Sequence, residues 1–252
     1  DWLIVDHYDL DQRWERHLRP LISKIMVIDD LENRIHDCDL LLDQNFSLRK
    51  NRYNELIPNY CVSLLGPKYA LLRDEFLEAR HQLRKRTGEI SRILVSFGGS
   101  DQTNETGKIL EGISLCDNSE LKINVVIGSQ NHYKDNIEKQ VNLMSNAICY
   151  LNPDDMAKLM VWADLSIGAG GNTTWERCFL GLPSLVISTA ENQERILQDM
   201  GLEGYFIFVG KSNNITASEI ADHIRLLLIS PYLVQAISRK AATVSDGQGA
   251  FK

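Results

Sequence analysis

The chain has 252 residues, of which 44% are hydrophobic and 24% charged, a composition typical of folded globular domains. Its formal net charge of −7 disfavours a nucleic-acid-binding protein, since such proteins present a basic surface. Its apolar runs are too short for a membrane span, and its five cysteines contain no CxxC pair, so we expect a cytoplasmic protein with reduced thiols, no metal site and no membrane association.

Ten short apolar segments predict β-strands, and segments with helical spacing separate many of them. The predicted strands are Leu3–Val5, Lys24–Ile28, Leu40–Leu42, Cys61–Leu64, Ile93–Phe97, Leu121–Ile127, Ala147–Tyr150, Leu165–Gly168, Ser184–Ile187 and Tyr205–Phe208. The predicted helices are Gln102–Ser114, His132–Ser145, Asp154–Ala163, Thr173–Leu180, Asn192–Met200 and Ala217–Ile229. This alternation predicts an α/β fold with doubly wound parallel sheets.

A polar, basic stretch at Ala79–Ser91 predicts a linker or an exposed helix between two α/β units. We therefore divide the chain into residues 1–83 and 84–252. The first part is thin for an independent Rossmann-like domain, so we expect it to be the remainder of a truncated one. The second part predicts a complete nucleotide-binding Rossmann-like domain.

A first glycine-containing turn, SFGGSD, lies at Ser96–Asp101 between a predicted strand and a helix that we expect to begin near Asp101–Thr103. Glycines such as Gly98 and Gly99 let a ligand approach the backbone, and a helix start offers unpaired N–H groups to an anion. Together with Ser100 they indicate an anion site, although a turn of this kind also serves as a simple tight connection.

A second turn, GAGGNTTWE at Gly168–Glu176, repeats the pattern. The glycine amides and the hydroxyls of Thr173 and Thr174 suit a diphosphate, and Glu176 is placed to accept two hydrogen bonds from a diol such as ribose. The alternative is a capping box, in which the glutamate bonds back to the helix start. The spacing fits neither GxGxxG nor GxxxxGK[ST], which disfavours NAD and Walker-type nucleotide sites.

A third polar segment at Ser188–Arg195 follows another strand at the same predicted edge. Asn192 and Gln193 there are candidates for hydrogen bonds to sugar hydroxyls, although a polar first helical turn is also ordinary. Asp6 and Tyr8 follow the first predicted strand, where functional side chains tend to collect.

In order along the chain, these motifs resemble those of the UDP-2,4-diacetamido-2,4,6-trideoxy-β-L-altropyranose hydrolases of pseudaminic acid biosynthesis, here called the PseG family. The matching blocks are Leu3–Asp11, Val27–Asn45, Leu64–Phe76, Ser96–Asp101, Gly168–Glu176, Gly181–Ile187, Glu191–Gln193 and Asp246–Ala250. The family is itself similar to MurG, the lipid II-forming N-acetylglucosaminyltransferase. The resemblance implies a GT-B fold, in which two Rossmann-like domains face a cleft.

The resemblance also implies roles for particular residues. The UDP-binding residues would be Gly99, Ser100, Tyr150, Leu151, Met156, Gly170, Gly171, Asn172, Thr173, Thr174 and Glu176, with Glu176 on the ribose and Tyr150, Leu151 and Met156 around the uracil. The sugar-binding residues would be Asp6, Tyr8, Arg73, Asn192 and Gln193. No cofactor is implied, and the expected partner is a UDP-amino sugar bound by a monomer.

The family carries an N-terminal Gly-x-Gly-His-x-x-Arg loop whose histidine is the base for water, and this sequence contains no such motif. We therefore expect the catalytic histidine to lie upstream of Asp1. The implied activity is hydrolysis of the anomeric C–O bond with inversion and release of UDP, in pathways of polysaccharide biosynthesis and flagellin glycosylation. Two alternatives are a MurG-like glycosyltransferase and a non-catalytic UDP-binding fragment.

Overall fold

A computed structural model describes residues 1–49 and 51–252 of the chain. These residues form two compact units, one made of Asp1–Leu71 with Ser245–Lys252 and the other of Leu72–Val244. Each unit is built on a parallel β-sheet with α-helices in its connections. The predicted α/β class is therefore confirmed.

The first unit contains a four-stranded parallel sheet in the order β1-β2-β3-β4. Its elements are β1 (Trp2–Val5), α1 (Gln12–Leu18), β2 (Lys24–Ile28), β3 (Leu40–Asp43) and β4 (Val62–Leu65). Residues of β2 alternate between buried and partly exposed positions, as expected for a strand with one face on a core. That core contains Val5, Ile25, Val27, Cys38, Leu41 and Tyr53.

The last eight residues of the chain, Ser245–Lys252, belong to the first unit. Gly249 lies so close to the preceding part of this unit that a Cβ atom there would stand 2.3 Å from the carbonyl oxygen of Ala70. Lys252 donates to the carbonyl oxygen of Lys68 at 3.1 Å and pairs with Asp246 at 2.8 Å. The C-terminal segment is thus an integral part of the packing of the first unit.

The second unit contains a six-stranded parallel sheet in the order β10-β9-β8-β5-β6-β7. Its strands are β5 (Arg92–Ser96), β6 (Lys122–Ile127), β7 (Ala147–Leu151), β8 (Leu165–Ala169), β9 (Ser184–Ser188) and β10 (Ile207–Lys211). Its helices are α2 (Asp74–Arg80), α3 (Glu105–Ser114), α4 (Lys134–Asn142), α5 (Met156–Trp162), α6 (Thr173–Phe179), α7 (Glu191–Leu202), α8 (Ala217–Leu228) and α9 (Pro231–Ala241).

Helices cover both faces of this second sheet. Ile93 and Val95 of β5 belong to one buried cluster, whereas the intervening Leu94 belongs to a second cluster. Every residue of β9 is buried. Burial on both faces explains why these strands are nearly continuous apolar runs in the sequence.

The path of the chain reverses at the centre of this sheet. It adds β6 and β7 on one side of β5 and then returns to add β8, β9 and β10 on the other side. The neighbouring strands β5 and β8 therefore flank a topological switch point, the position at which open α/β sheets bind ligands.

All ten predicted strands are present among the described residues, but the last begins later than predicted. Tyr205, which we expected to open it, instead donates its backbone N–H to Met200 and closes the end of α7, after a turn at Gly204 with φ of 80°. The prediction also lacks α1, α2 and α9. Helices α1 and α2 are only seven residues long, which leaves little of a helical period to detect. Helix α9, by contrast, buries Val234, Ile237 and Ala241 at helical spacing, a signal that the prediction missed.

The predicted linker stretch Ala79–Ser91 lies within the second unit, as does the predicted boundary between residues 83 and 84. Arginines hold this stretch to the unit: Arg80 donates to the carbonyl oxygen of Phe179, and Arg84 pairs with Asp164. Arg86 is partly buried, and this desolvation lowers the pKa of its guanidinium to about 10. The basic composition therefore reflects bonds to backbone carbonyls and a carboxylate.

Within the described residues, no single α-helix has both the length and the apolar composition required to cross a membrane. The pair α8 and α9 meets those requirements only when both helices are counted together, and they are bent by 95° at the break between them.

Candidate nucleotide-binding site

Two loops lie side by side at the switch point of the second unit. The first loop (Gly98–Asp101) follows β5, and the second loop (Gly168–Asn172) begins at the end of β8. Ser96 of β5 pairs directly with Gly168 of β8, so the two loops leave the sheet next to each other. Because ligands of open α/β sheets bind at this edge, the two loops form the candidate site.

Close packing and backbone conformation favour glycine at Gly168, Gly170 and Gly171 of the second loop. A Cβ atom at Gly168 would lie 2.3 Å from the carbonyl oxygen of Ser96, and one at Gly170 would lie 2.5 Å from Cδ1 of Leu197. Gly171 has φ of 102°, a conformation that L side chains rarely adopt. The loop therefore presents bare backbone at the edge of the sheet, which suits an anionic ligand.

A buried arginine supports the second loop from within the protein. Arg177 of α6 is 2% exposed and donates to the carbonyl oxygen of Ala169 at 2.6 Å and to the hydroxyl of Thr174 at 3.3 Å. Burial lowers the pKa of this guanidinium to about 10, so it remains charged at neutral pH. Its positive charge directly beneath the loop favours an anion there. Sequence reasoning missed Arg177, although a basic residue inside an apolar helical segment is an available signal.

The structure separates the polar residues at the start of α6. Asn172 is exposed and Thr173 is half-buried, whereas Thr174 is buried, with its hydroxyl bonded to Arg177. Of the two threonines predicted to meet a diphosphate, Thr173 is therefore the one nearer the protein surface. The predicted contacts of all three residues with UDP remain predictions.

Glu176 lies in the first turn of α6, and its carboxylate forms an ion pair. Its Oε1 is 3.4 Å from Arg73, which also lies 3.0 Å from Glu75. Its Oε2 is buried without a hydrogen-bond partner. Burial raises the pKa of Glu176, and the charge of Arg73 partly opposes that rise.

The capping-box interpretation of the second loop is wrong, since Asn172 makes no side-chain cap and Glu176 bonds to Arg73 instead. The carboxylate of Glu176 thus retains an acceptor oxygen with no bond inside the protein. A buried acceptor of this kind costs free energy unless a ligand supplies a donor. The hydroxyl groups of a ribose are donors of the required type.

Gln193 of α7 faces the second loop. Its amide oxygen and nitrogen lie 3.0 and 3.3 Å from the positions that Cβ atoms of Gly170 and Gly171 would occupy. The amide oxygen is buried and has no hydrogen-bond partner. Asn192, one residue earlier, is exposed. The structure therefore brings Gln193, Glu176, Arg73 and the second loop together within one unit.

The first loop has open space around Gly99, and Asp101 partly caps the helix α3 that follows the loop. A Cβ atom at Gly99 would meet nothing within 4 Å, and Ser100 is half-buried. Asp101, at φ of 40°, accepts the backbone N–H groups of Glu105 and Thr106 at 2.9 and 3.0 Å. Helix α3 therefore begins at Glu105 rather than near Asp101–Thr103, and two of its free N–H groups are satisfied by the protein itself.

The residues predicted to surround a uracil lie further along the same sheet. Tyr150 and Leu151 end β7, and Met156 opens α5 after Asp155, which caps that helix. Tyr150 and Met156 pack against a buried cluster of the second unit, and Leu151 is 46% exposed. Their predicted contact with a base remains a prediction.

Two of the predicted sugar-binding residues belong to the first unit. Asp6 is exposed after β1, and the hydroxyl of Tyr8 donates to Asp30 at 3.3 Å. Burial, followed by the charge of Asp30, raises the pKa of Tyr8, while burial and the neighbouring Asp29 raise the pKa of Asp30. The other predicted sugar-binding residues, Arg73, Asn192 and Gln193, belong to the second unit.

The strand order, the switch point and the two glycine loops define a Rossmann-like α/β protein of the GT-B class. The crystal structure of MurG from Acinetobacter baumannii shares this fold, with a TM-score of 0.58 and 14% sequence identity over 94% of this chain and 73% of that one. Residues 93–200 match the glycosyltransferase family 28 C-terminal domain. That segment contains both loops.

Two relatives extend the similarity beyond this domain. An uncharacterized protein of Methanocaldococcus jannaschii is 31% identical over 207 residues, which are 79% of this chain and 42% of the relative. The UDP-2,4-diacetamido-2,4,6-trideoxy-β-L-altropyranose hydrolase of Campylobacter jejuni is 27% identical over 208 residues, 81% of this chain and 72% of the relative. The chain thus spans less than half of the first relative, and the second confirms the predicted resemblance to the PseG family.

Proposed function

We propose that this chain binds UDP in its second unit and belongs to an enzyme that hydrolyses a UDP-2,4-diacetamido-2,4,6-trideoxyhexose, with inversion at the anomeric carbon and release of UDP. The chain spans 72% of the Campylobacter jejuni relative whose name describes this reaction. The activity of a whole protein is therefore part of the proposal, as is a role in pseudaminic acid biosynthesis.

The observation that carries this proposal is the pair of buried polar oxygens, on Glu176 and Gln193, that lack hydrogen-bond partners beside the second loop. Buried polar atoms are nearly always paired in folded proteins, so each oxygen is a position that accepts a hydrogen bond from a ligand hydroxyl or from a water that the ligand displaces. A nucleoside diphosphate sugar supplies hydroxyl donors on both its ribose and its sugar ring, and its diphosphate suits the bare backbone between them.

The leaving group of the reaction is a diphosphate that gains negative charge as the C–O bond breaks. The amides of the second loop and the guanidinium of Arg177 beneath it supply positive potential at that position. Glu176 holds the nucleoside through its hydroxyls, and Gln193 orients the sugar. The water is activated by a general base on the opposite face of the sugar ring.

The test is incubation of the whole enzyme to which this chain is proposed to belong with the UDP-diacetamido sugar in water enriched in ¹⁸O, followed by NMR and mass spectrometry. We expect release of UDP without an acceptor, ¹⁸O in the free sugar rather than in UDP, and inverted configuration in the first product. Label in UDP would show P–O cleavage and would contradict the proposal. UDP binding by calorimetry without turnover would favour the non-catalytic UDP-binding alternative.

A second candidate function is glycosyl transfer from a UDP-amino sugar. It is favoured by the match of residues 93–200 to a glycosyltransferase family 28 domain. The two candidates differ in their requirement for an acceptor. Release of UDP only after addition of a glycosyl acceptor, with the sugar attached to it, would establish transfer in place of hydrolysis.

A further inference from the structure

Two cysteines of the first unit lie in contact at the start of neighbouring strands. Cys38 lies two residues before β3 and Cys61 immediately precedes β4, and their Sγ atoms are 3.5 Å apart. The backbone N–H of Val62 donates to the carbonyl oxygen of Asp39 at 2.9 Å, so the strand pairing continues up to the two thiols. Their proximity is therefore set by the register of the sheet.

The two thiols differ in accessibility. Cys38 is fully buried in the core of the first unit, with Ile25, Leu41 and Tyr53. Cys61 is half-buried, and its Sγ also lies 3.6 Å from the carbonyl oxygen of Val62. A small reagent from solvent therefore meets Cys61 first, and Cys38 is the thiol held behind it.

The contact also shifts the pKa values of the two thiols in opposite directions. The hydrogen bond from Cys38 lowers the pKa of Cys61, whereas that same contact and burial raise the pKa of Cys38. Cys61 is thus the member of the pair that becomes a thiolate, the form in which a thiol reacts as a nucleophile.

We propose that Cys38 and Cys61 form a redox-active dithiol that a hydroperoxide converts into a disulfide linking β3 to β4. The thiolate of Cys61 attacks one peroxide oxygen, which forms a sulfenic acid and, with hydrogen peroxide as oxidant, releases water after protonation. The sulfur of Cys38 then attacks Sγ of Cys61, and the hydroxyl leaves as a second water with the proton of Cys38. The two thiols lose two electrons in total, and the peroxide is reduced to water.

The geometry requires only a small closure for the second step. The two Sγ atoms move from 3.5 Å to the bonded distance of about 2.0 Å. Because Cys38 is already in contact with Cys61, the sulfenic acid on Cys61 can react with the thiol of Cys38 before it is oxidised further. The bond would close the segment between the two strands and restrain it.

The other three cysteines offer an internal comparison. Burial raises the pKa of Cys116, of Cys149 and, to about 12, of Cys178. The thiol of Cys116 donates to backbone carbonyl oxygens rather than to another thiol. Cys116 is therefore a suitable control position, since it is half-buried like Cys61 and belongs to the second unit.

The experiment treats the reduced 252-residue chain with hydrogen peroxide in native buffer and measures its intact mass and its peptides after non-reducing digestion. We expect the loss of two hydrogens, a cross-linked peptide containing Cys38 and Cys61, and reversal by dithiothreitol. This measurement uses the unmodified protein, so it does not depend on the folding of a variant. Absence of the cross-linked peptide, or its formation only in urea, would overturn the proposal.

Three variants assign the roles of the two sulfurs, with circular dichroism confirming that each is folded. We expect Cys38→Ser to accumulate a sulfenic acid on Cys61 that dimedone traps, and Cys61→Ser to lose no hydrogens. Cys116→Ser should behave as the unmodified chain. Equal oxidation of Cys38 in the Cys61→Ser variant would contradict the assignment of Cys61 as the reacting thiol.

Discussion

Glu176 is the residue on which the proposed nucleotide site depends most directly, and its replacement by glutamine gives a quantitative test. The amide has nearly the same shape as the carboxylate but one acceptor oxygen instead of two, and no charge. The acceptors proposed for the ribose hydroxyls are the two carboxylate oxygens of Glu176. Oε2 has no hydrogen-bond partner in the protein, and Oε1 lies 3.4 Å from Arg73. The substitution should therefore weaken UDP binding without altering the fold.

The expected loss follows from the hydrogen bonds involved. A hydrogen bond to a charged group contributes about 1 kcal/mol more than one between neutral groups, so two bonds amount to about 2 kcal/mol, roughly a 30-fold increase in Kd. The lost pairing with Arg73 adds little, because that side chain is 57% exposed and screened by water. Glu194→Gln, which removes a surface pairing with Lys211, should leave the Kd unchanged.

The assay is calorimetric titration of both proteins with UDP and with 2′,3′-dideoxy-UDP, which lacks the two hydroxyls. We expect the unmodified chain to lose more affinity for the dideoxy ligand than the Glu176→Gln variant does, because only the neutral part of the hydrogen bonds to the ribose remains in the variant. Additive losses would show that Glu176 does not contact the ribose and would refute the reasoning. Because the pKa of Glu176 is raised, UDP binding by the unmodified chain should also weaken as the pH falls through that pKa.

Two further outcomes test the packing of each unit. Gly168→Ala places a Cβ atom 2.3 Å from the backbone carbonyl oxygen of Ser96, so urea unfolding should show a loss of about 1–3 kcal/mol and UDP binding should weaken, whereas Gly99→Ala should leave stability unchanged. Burial raises the pKa of Asp43 from 3.8 to about 6, so the folded state binds its proton more tightly than the unfolded state and stability falls as the pH rises between those values. The stability of Asp43→Asn relative to the unmodified chain should therefore increase over that pH range, and a constant difference would contradict this assignment.

The strands of this protein were predictable because burial on both faces leaves uninterrupted apolar runs, as in β9. The two glycine turns were predictable for a related reason, since a strand followed by glycines and a helix start has few other structural explanations. Glu176 was identified as a candidate on spacing alone. The sequence could not show whether Glu176 forms a capping box or stays available to a ligand, because its partner Arg73 lies 103 residues away in the sequence.

The remaining features depend on contacts that no local pattern contains. Arg177 follows Glu176 in the sequence but points beneath the second loop, because its guanidinium bonds to Ala169 in the preceding turn of the chain. Asp101 delays the start of α3 through its bonds to Glu105 and Thr106, whereas the residue types there equally suit an earlier start. In both cases, hydrogen bonds made by one side chain in the folded protein determine the local structure, and the local sequence pattern does not contain them.

The membership of Ser245–Lys252 in the first unit makes that unit discontinuous along the chain. During synthesis, the ribosome completes the whole of the second unit before it releases the residues that finish the first. The edge formed around Tyr69 and Ala70 therefore stays exposed until Gly249 arrives to cover it. A single proteolytic nick between Leu71 and Leu72 would leave residues 1–71 with no covalent link to Ser245–Lys252, the segment that completes their packing.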